Sequence, residues 1–328
     1  MSYIVNTPLN NFFSGKAKLG ISACLLGQKV RYDGGHKQDY FLTETFGRYV
    51  EWVPVCPELE VGMGVPRESV RLVGTKDEPK MIAERSGKDW TAEMNSYADK
   101  RVKSLKALEL AGYVFKKNSP SCGMERLRLY NAKGVSSRDG RGLFASAVMK
   151  ELPLLPVEEE GRLNDPVLRE NFIEKVFAYH RWQEFTKGRK SVRALIAFHT
   201  NHKLLVLAHS DPHYRRLGRM VAEAKKLPIG VVYEQYGRIL MEALAVHATA
   251  KKHCNVLEHM IGYFSRQLSA DERKEIVDLV VDFRRQLIPL IVPLTLVRHY
   301  VNKYHVAYLQ EQIYLEPSPK ELMLRNHV

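Results

Sequence analysis

Lys18-Leu19-Gly20-Ile21-Ser22-Ala23-Cys24-Leu25-Leu26-Gly27 decides how the first half of this chain folds. Its apolar residues run almost unbroken and stop at a glycine. That is the pattern of a strand buried on both faces, which belongs to a parallel sheet covered by helices. The following residues alternate accordingly. A short helix over 40–49 leads to a second strand at 50–55, closed by Pro57. Residues 61–80, rich in glycine, proline and charge, read as a loop or hairpin. Residues 91–111 have helical composition, with a cap at Asp89 or Thr91 and a stop at Gly112. Short strands are expected at 113–115, 127–130 and 154–157, and a helix at 142–152. The alternation predicts an α/β N-terminal domain with an open, largely parallel, Rossmann-like sheet. No Gly-x-Gly-x-x-Gly follows the first strand, so a dinucleotide site is not expected.

The pattern changes near residue 160. A polar linker over 158–165 ends in Asp165-Pro166, a cap followed by proline at the first helical position. Helices are predicted at 167–187, 190–208, 212–226, 229–261, 270–288 and 293–311, which makes the second half all-α. The expected domains are 1–160 and 161–328. A length of 328 residues fits two domains of ~100–200 residues each.

With 45% hydrophobic and 27% charged residues, the composition excludes a long disordered chain, a collagen and a disulfide scaffold. The net charge of +13 points to a polyanionic partner, nucleic acid before an anionic membrane surface. Both halves share it: residues 1–155 carry 24 Lys+Arg against 17 Asp+Glu, and residues 156–328 carry 26 against 20. The longest apolar stretch, 287–297, is interrupted by Pro289 and Pro293, whereas a membrane span needs ~20 residues. Residues 1–13 lack the form of a signal peptide. Four cysteines with no close pair suit a reducing compartment, and the expected location is cytoplasmic.

Cys24, Cys56 and Cys122 each fall at or just after the C-terminal end of a predicted strand, the edge where open α/β sheets bind ligands. Three thiolates suit a soft metal or an iron–sulfur cluster, and an incomplete ligand set leaves a position for substrate. Free cysteine is also a common core residue. The flanks Pro54-Val55-Cys56-Pro57-Glu58 and Asn118-Ser119-Pro120-Ser121-Cys122-Gly123 favour a ligand loop over a core position. Cys254 lies on a predicted helix and stands apart. Glu58 is a candidate general acid or base. Ser119 and Ser121 are candidate donors to a substrate or to cluster sulfur.

The run 20–27 followed by Val30-Arg31-Tyr32-Asp33-Gly34 resembles the opening of the thiouracil desulfidase (TudS) family. Val55-Cys56-Pro57-Glu58 with Pro66-Arg67, then Ser119-Pro120-Ser121-Cys122-Gly123, resemble its second and third blocks, in family order. Phe198-His199-Thr200-Asn201-His202-Lys203, Ala208-His209-Ser210, Tyr214 and Leu217-Gly218 resemble a domain often fused to desulfidases. The two-domain form is similar to RudS-type desulfidases, which act on 4-thiouridine in tRNA. The chain departs from the shorter members by its leader and by Gly62-Met63-Gly64. The resemblance implies a 4Fe–4S cluster bound by Cys24, Cys56 and Cys122, with one iron left for the thiocarbonyl sulfur. It implies non-redox hydrolysis to uridine and hydrosulfide, with Glu58 moving protons and Ser119 or Ser121 orienting the base or its sulfur. It also implies that the helical half holds tRNA.

Candidate phosphate-binding residues are Lys187, Arg189, Lys190 and Arg193 near one helix start, and His213, Arg215, Arg216 and Arg219 near the next. The histidines His199, His202, His209 and His213 are spaced for one helix face, but Ser210-Asp211-Pro212 breaks that face, so polar packing or RNA contact is expected there before zinc. Two other functions fit the sequence: a desulfidase of free 2-thiouracil, and a non-enzymatic basic RNA-binding module with a structural zinc on the three cysteines. No membrane role and no protein partner are expected.

Overall fold

The computed structural model describes residues 15–131 and 133–328. The segment 1–13, expected to carry no signal peptide, lies outside them. The described residues divide into two units, Gly15–Leu168 and Arg169–Val328.

The first unit is α/β. Its elements are β1 (Ala17–Ser22), β2 (Val50–Val55), α1 (Pro57–Glu60), β3 (Val70–Gly74), β4 (Pro79–Ala83), α2 (Thr91–Ala107), β5 (Gly112–Phe115), β6 (Leu127–Tyr130), β7 (Ser136–Gly140), α3 (Leu143–Glu151) and β8 (Val157–Glu159). Strands β2-β1-β5-β8 form a wholly parallel sheet in that order. Leu19 and Ile21 of β1 and all of β5 are buried, as expected of central strands covered on both faces. Helix α2 buries Met94, Ala98, Val102 and Leu105, a stripe at helical spacing. The ring of Tyr97 on α2 meets that of Phe144 on α3 at 6.0 Å.

A second sheet, β4-β3-β6-β7, joins β3 and β6 in parallel and β4 and β7 antiparallel to them. A single sheet was expected. The 61–80 region supplies the β3–β4 hairpin, and β7 was not foreseen because Ser-Ser-Arg-Asp-Gly has no apolar alternation. β1 stops at Ser22, and residues 23–26 turn into a 3-10 helix closed by Gly27 at φ +85°. The last strand falls at 157–159 instead of 154–157, and the expected polar linker is partly buried. Glu158 and Glu159 are both under a tenth exposed. Glu159 accepts the Met124 N–H at 2.7 Å, and Glu158 pairs with Arg162 at 2.7 Å. Paired in this way, acidic residues can occupy a strand that composition assigns to a linker.

The second unit is helical: α4 (Pro166–Lys187), α5 (Val192–His209), α6 (Asp211–Ala222), α7 (Ile229–Ala245), α8 (Ala250–Phe264), α9 (Ala270–Arg284), α10 (Ile291–Lys303) and α11 (Ala307–Gln310). The helix expected over 229–261 is two helices. Val246 is extended, and the Thr249 side chain caps α8 by accepting the Lys252 N–H. Likewise 293–311 is α10 plus the short α11. Among the described residues, no helix is long and apolar enough to cross a membrane.

Rings of Trp182, Phe185, Phe198, Tyr233 and Tyr236 stack in the core of this unit. A buried ionic network lies beside α4. Glu174 meets His209 Nε2 at 3.1 Å and Arg325 Nη2 at 2.7 Å, and Glu170 meets His327 at 2.7 Å. Burial opposes the Glu174 charge, but Arg325 and then His209 outweigh it and hold its pKa at about 2. Burial depresses His199 to about 4, and His202 and His253 to about 3.

These shifts fix the sign of the acid response. Below pH ~6.5 the unfolded chain protonates these histidines while the folded one does not, so unfolding gains about 1.4 kcal/mol per histidine per pH unit. The window closes near pH 4 for His199 and near pH 3 for the other two. Glu174 adds a loss of the same sign between about pH 4.5 and 2. Amide-exchange protection of α5 should therefore be level from pH 9 to 7 and fall steeply below 6.5. His253→Gln should make the fall shallower by about one proton; an unchanged profile would refute the assignment.

Candidate active site

Strands β2, β1 and β5 lie side by side and run the same way, so their C-terminal ends share one edge. Each end delivers a cysteine. Cys24 sits in the 3-10 turn after β1, where its carbonyl accepts the Lys37 N–H at 3.0 Å. Cys56 follows β2 and precedes α1; its N–H donates to Glu60 Oε1 at 3.1 Å, and Pro57 fixes the first helical position. Cys122 lies in the turn after β5, with its N–H on Ser119 Oγ at 3.2 Å. That turn packs on Gly142, where an added Cβ would stand 2.5 Å from the Ser121 carbonyl. All three cysteines are free and line one cavity of about 390 Å³. Cys254 is buried in the helical unit, with its sulfur 3.7 Å from the Val280 carbonyl.

Glu58, on the first turn of α1, also lines the cavity. Its Oε1 accepts from Ser121 Oγ at 2.7 Å and from Ser119 Oγ at 3.1 Å, and the two hydroxyls are 3.0 Å apart. Ser121 Oγ is 3.6 Å from the Cys122 sulfur. On the other side, Oε2 accepts from Arg67 Nε at 3.1 Å. Arg67 is itself held by the Val30 and Gly64 carbonyls, both at 3.0 Å. Gly62 and Gly64, at φ +93° and +76°, let the loop turn back so that Arg67 reaches Glu58. The Gly-Met-Gly departure in the second block thus builds this return.

The geometry therefore brings together Cys24, Cys56, Cys122, Glu58, Ser119 and Ser121. It adds Arg67, which sequence reasoning had noted only as part of a family block. The signal for it was a lone arginine closing a glycine-rich loop after Glu58. Lys116 is a further addition. It lines the cavity, pairs with Glu160, and donates its backbone N–H to Ser22 Oγ at 2.9 Å.

Burial pushes the Cys24 thiol up to about 11, although Lys116 opposes it, and burial also raises Cys56 and Cys122. Thiols so raised are poor nucleophiles. They become thiolates when a metal centre displaces their protons. Among the described residues, no three His, Cys, Asp or Glu side chains gather around a single-ion position. A polynuclear cluster takes one thiolate ligand at each of several irons. Three soft donors on one cavity suit the cluster.

The predicted phosphate contacts lie in the helical unit. Lys187, Arg189, Lys190, Arg193, Arg215, Arg216 and Arg219 are all exposed, and His213 is half-buried against Ser210 Oγ at 2.7 Å. Three are engaged by acids: Lys187 by Glu184, Arg215 by Asp211 and Arg216 by Glu242. His199, His202 and His209 are buried and bonded to Tyr236, the Phe198 carbonyl and the Val246 carbonyl respectively. Polar packing accounts for them.

Residues 19–160 match the family model described as 2-thiouracil desulfurase, and residues 203–319 match one described as a protein of unknown function, DUF1722. The uncharacterized protein YbgA of Escherichia coli K12 is 34% identical over 153 residues, 46% of this chain and 90% of that protein. The uncharacterized protein YbbK of Bacillus subtilis 168 is 30% identical over 153 residues, 44% of this chain and 97% of that protein.

The chain belongs to the 2-thiouracil desulfurase family.

A solved structure titled as the 4Fe–4S-dependent thiouracil desulfidase TudS is 31% identical and covers 46% of this chain and 95% of its own, with a TM-score of 0.38.

Two substitutions test the geometry of this desulfurase-family site. Gly142→Ala should displace the Cys122 turn and lower the iron bound per chain on anaerobic reconstitution, with the helical content unchanged; full iron loading would refute the packing argument. Arg67→Gln breaks an ion pair whose side chains are 6% and 14% exposed. It should cost about 3–5 kcal/mol of stability in urea, with Arg67→Lys recovering part of the loss.

Proposed function

We propose that this protein removes sulfur from thiolated uracil in tRNA, converting 4-thiouridine to uridine with release of hydrosulfide. The observation that carries the reading is Glu58, held between two serine hydroxyls and Arg67 in the cavity that three thiols share. Cys24, Cys56 and Cys122 would hold a 4Fe–4S cluster, which when bound supplies a soft Lewis-acidic iron for the thiocarbonyl sulfur. The rest of the chemistry belongs to the chain's own residues. Glu58 takes a proton from the water that attacks the ring carbon, and returns it as the C–S bond breaks. Arg67 keeps the carboxylate aimed into the cavity. Ser119 and Ser121 orient the base edge, and their hydroxyls carry the proton between Glu58 and the departing sulfur. The C=S double bond is replaced by C=O: water supplies the oxygen and two protons, one leaving with sulfur as hydrosulfide and the other released to solvent as the adduct collapses, with no net electron transfer.

The tRNA substrate is supported by the basic excess of both halves and by the exposed arginines at the starts of α5 and α6. Residues 1–160 would be the desulfidase domain and 161–328 the accessory domain that holds RNA. Lys187, Arg189, Lys190, Arg193, Arg215, Arg216 and Arg219 would meet phosphates. The cytoplasm, where tRNA resides, would be its location.

The test is anaerobically reconstituted protein with bulk tRNA containing 4-thiouridine, followed by nucleoside analysis. Loss of 4-thiouridine with equal gain of uridine is expected. Cys122→Ala should abolish it, and Glu58→Gln should lower kcat by about 10²–10⁴. Turnover of free 2-thiouracil but not of tRNA would reassign the substrate. Full activity in Glu58→Gln would remove Glu58 from the chemistry.

A further inference from the structure

The outer face of the second sheet has no role in the site described above, and its charge is one-sided. In parallel register, Leu72 pairs with Leu129 and Val73 with Tyr130. The two leucines are buried, so the alternate residues face outward, and the same register sets Arg71 directly beside Arg128. The antiparallel neighbours extend this row and the next. Arg71 pairs with Ile82 and Val73 with Lys80 on β4. Tyr130 pairs with Ser136 on β7, and Arg138 follows. The Arg71 guanidinium lies over the Tyr130 ring, 5.1 Å from its centre.

The four strands hold Arg71, Lys80, Arg128 and Arg138 against one acid, Asp139, and a second acid, Asp89, is bridged to Ile82 at the β4 edge, close enough to Lys80 to feel its charge. All four cations are exposed, and among the described residues none of them is in a salt bridge. Glu84, just past β4, is occupied by the Ser69 hydroxyl. Two arginines abreast on neighbouring strands repel each other, and folding gains nothing from that placement. The face also begins at the active site, because Ser69 and Val70, which lead into β3, line the thiol-bearing cavity.

We propose that this face binds the polynucleotide that flanks the thiolated base, with Arg71 and Arg128 on backbone phosphates and Tyr130 stacked against a neighbouring base. The inference rests on the tRNA reading above and adds a second RNA surface, in the desulfidase unit itself. Adjacent guanidinium groups match phosphate oxygens in fork geometry. An aromatic side chain on an open sheet is a stacking platform for an unpaired base. A base that reaches the cavity must leave its stack, so its neighbours are the nucleotides nearest to β3.

The test is fluorescence anisotropy of labelled bulk tRNA with the full chain across a salt titration. Arg71→Gln/Arg128→Gln should weaken binding and make the slope of log Kd against log salt shallower by about 1.8, two phosphates at about 0.9 each. Arg71→Lys/Arg128→Lys, which keeps both charges, should restore the slope and so exclude a folding defect. Wild-type binding with an unchanged slope in the glutamine variant would overturn this surface alone. No binding by wild type would overturn both this surface and the tRNA reading. Poly-glutamate that displaces tRNA from wild type, but not from the glutamine variant, would assign the face to an acidic protein and overturn the proposal.

Discussion

Convergence of three thiols, two buried and one half-buried, at one sheet edge is the constraint on which the site depends. A thiolate in a water-poor cavity is costly unless a positive centre lies against it. Arg31, Lys37, Arg67, Lys116 and Lys117 line the cavity, and the two nearest the carboxylates are engaged. Arg67 is bound to Glu58, and Lys116 to Glu160. The cations only partly offset burial, which still raises all three thiols, the soft donors of the pocket. A centre that brings its own positive charge would stabilise them as thiolates. The parallel order β2-β1-β5 makes this possible, because an antiparallel neighbour would send one cysteine to the opposite edge.

The same pairing sets the geometry of Glu58. A carboxylate with a guanidinium on one oxygen and two hydroxyls on the other has little rotational freedom. One of its hydroxyl partners, Ser121 Oγ, also lies 3.6 Å from the Cys122 sulfur. Proton acceptor and sulfur-side donors are thus joined in one short chain of hydrogen bonds, which a hydrolysis that takes a proton from water and returns it to sulfur requires. Gly62 and Gly64 belong to this arrangement as much as the charged residues do, since their left-handed turns carry Arg67 back.

What could be read from sequence follows from which interactions are local. The apolar run of β1, the proline after Cys56 and the Ser-Pro-Ser-Cys turn encode their structure within a few residues, so these strands and the three cysteines beyond them were legible, although β1 gives way to a 3-10 turn at Ser22, short of the glycine. The helices were legible where caps mark them, as Asp165 before α4. The missed features are long-range. Strand β7 has no apolar residue and exists because β6 offers it an edge. Buried Glu158 and Glu159 look like linker until Arg162 and the Met124 N–H are seen beside them. The break between α7 and α8 carries neither glycine nor proline, only a threonine cap. Arg67 was visible as a residue, but its partner was not.

The ion pairs on the helical surface do not count against an RNA role. An exposed arginine paired with a carboxylate gains roughly 0–1 kcal/mol from that contact. A phosphate offers comparable geometry together with counterion release, so Arg215 and Arg216 can exchange partners at small cost. Arg189, Arg193 and Arg219 are exposed and among the described residues are in no salt bridge, so they need no exchange. Lys190 leans over the Tyr233 ring at 5.8 Å, a contact that leaves its ammonium open to an anion. A surface that mixes free and loosely paired cations suits a polyanion whose phosphates are many and whose register must be found by sliding. A buried, fully paired cluster such as Glu174, His209 and Arg325 serves the opposite purpose, fixing one packing of the helices. The chain keeps these two kinds of charge in separate places, one on the surface and one in the core.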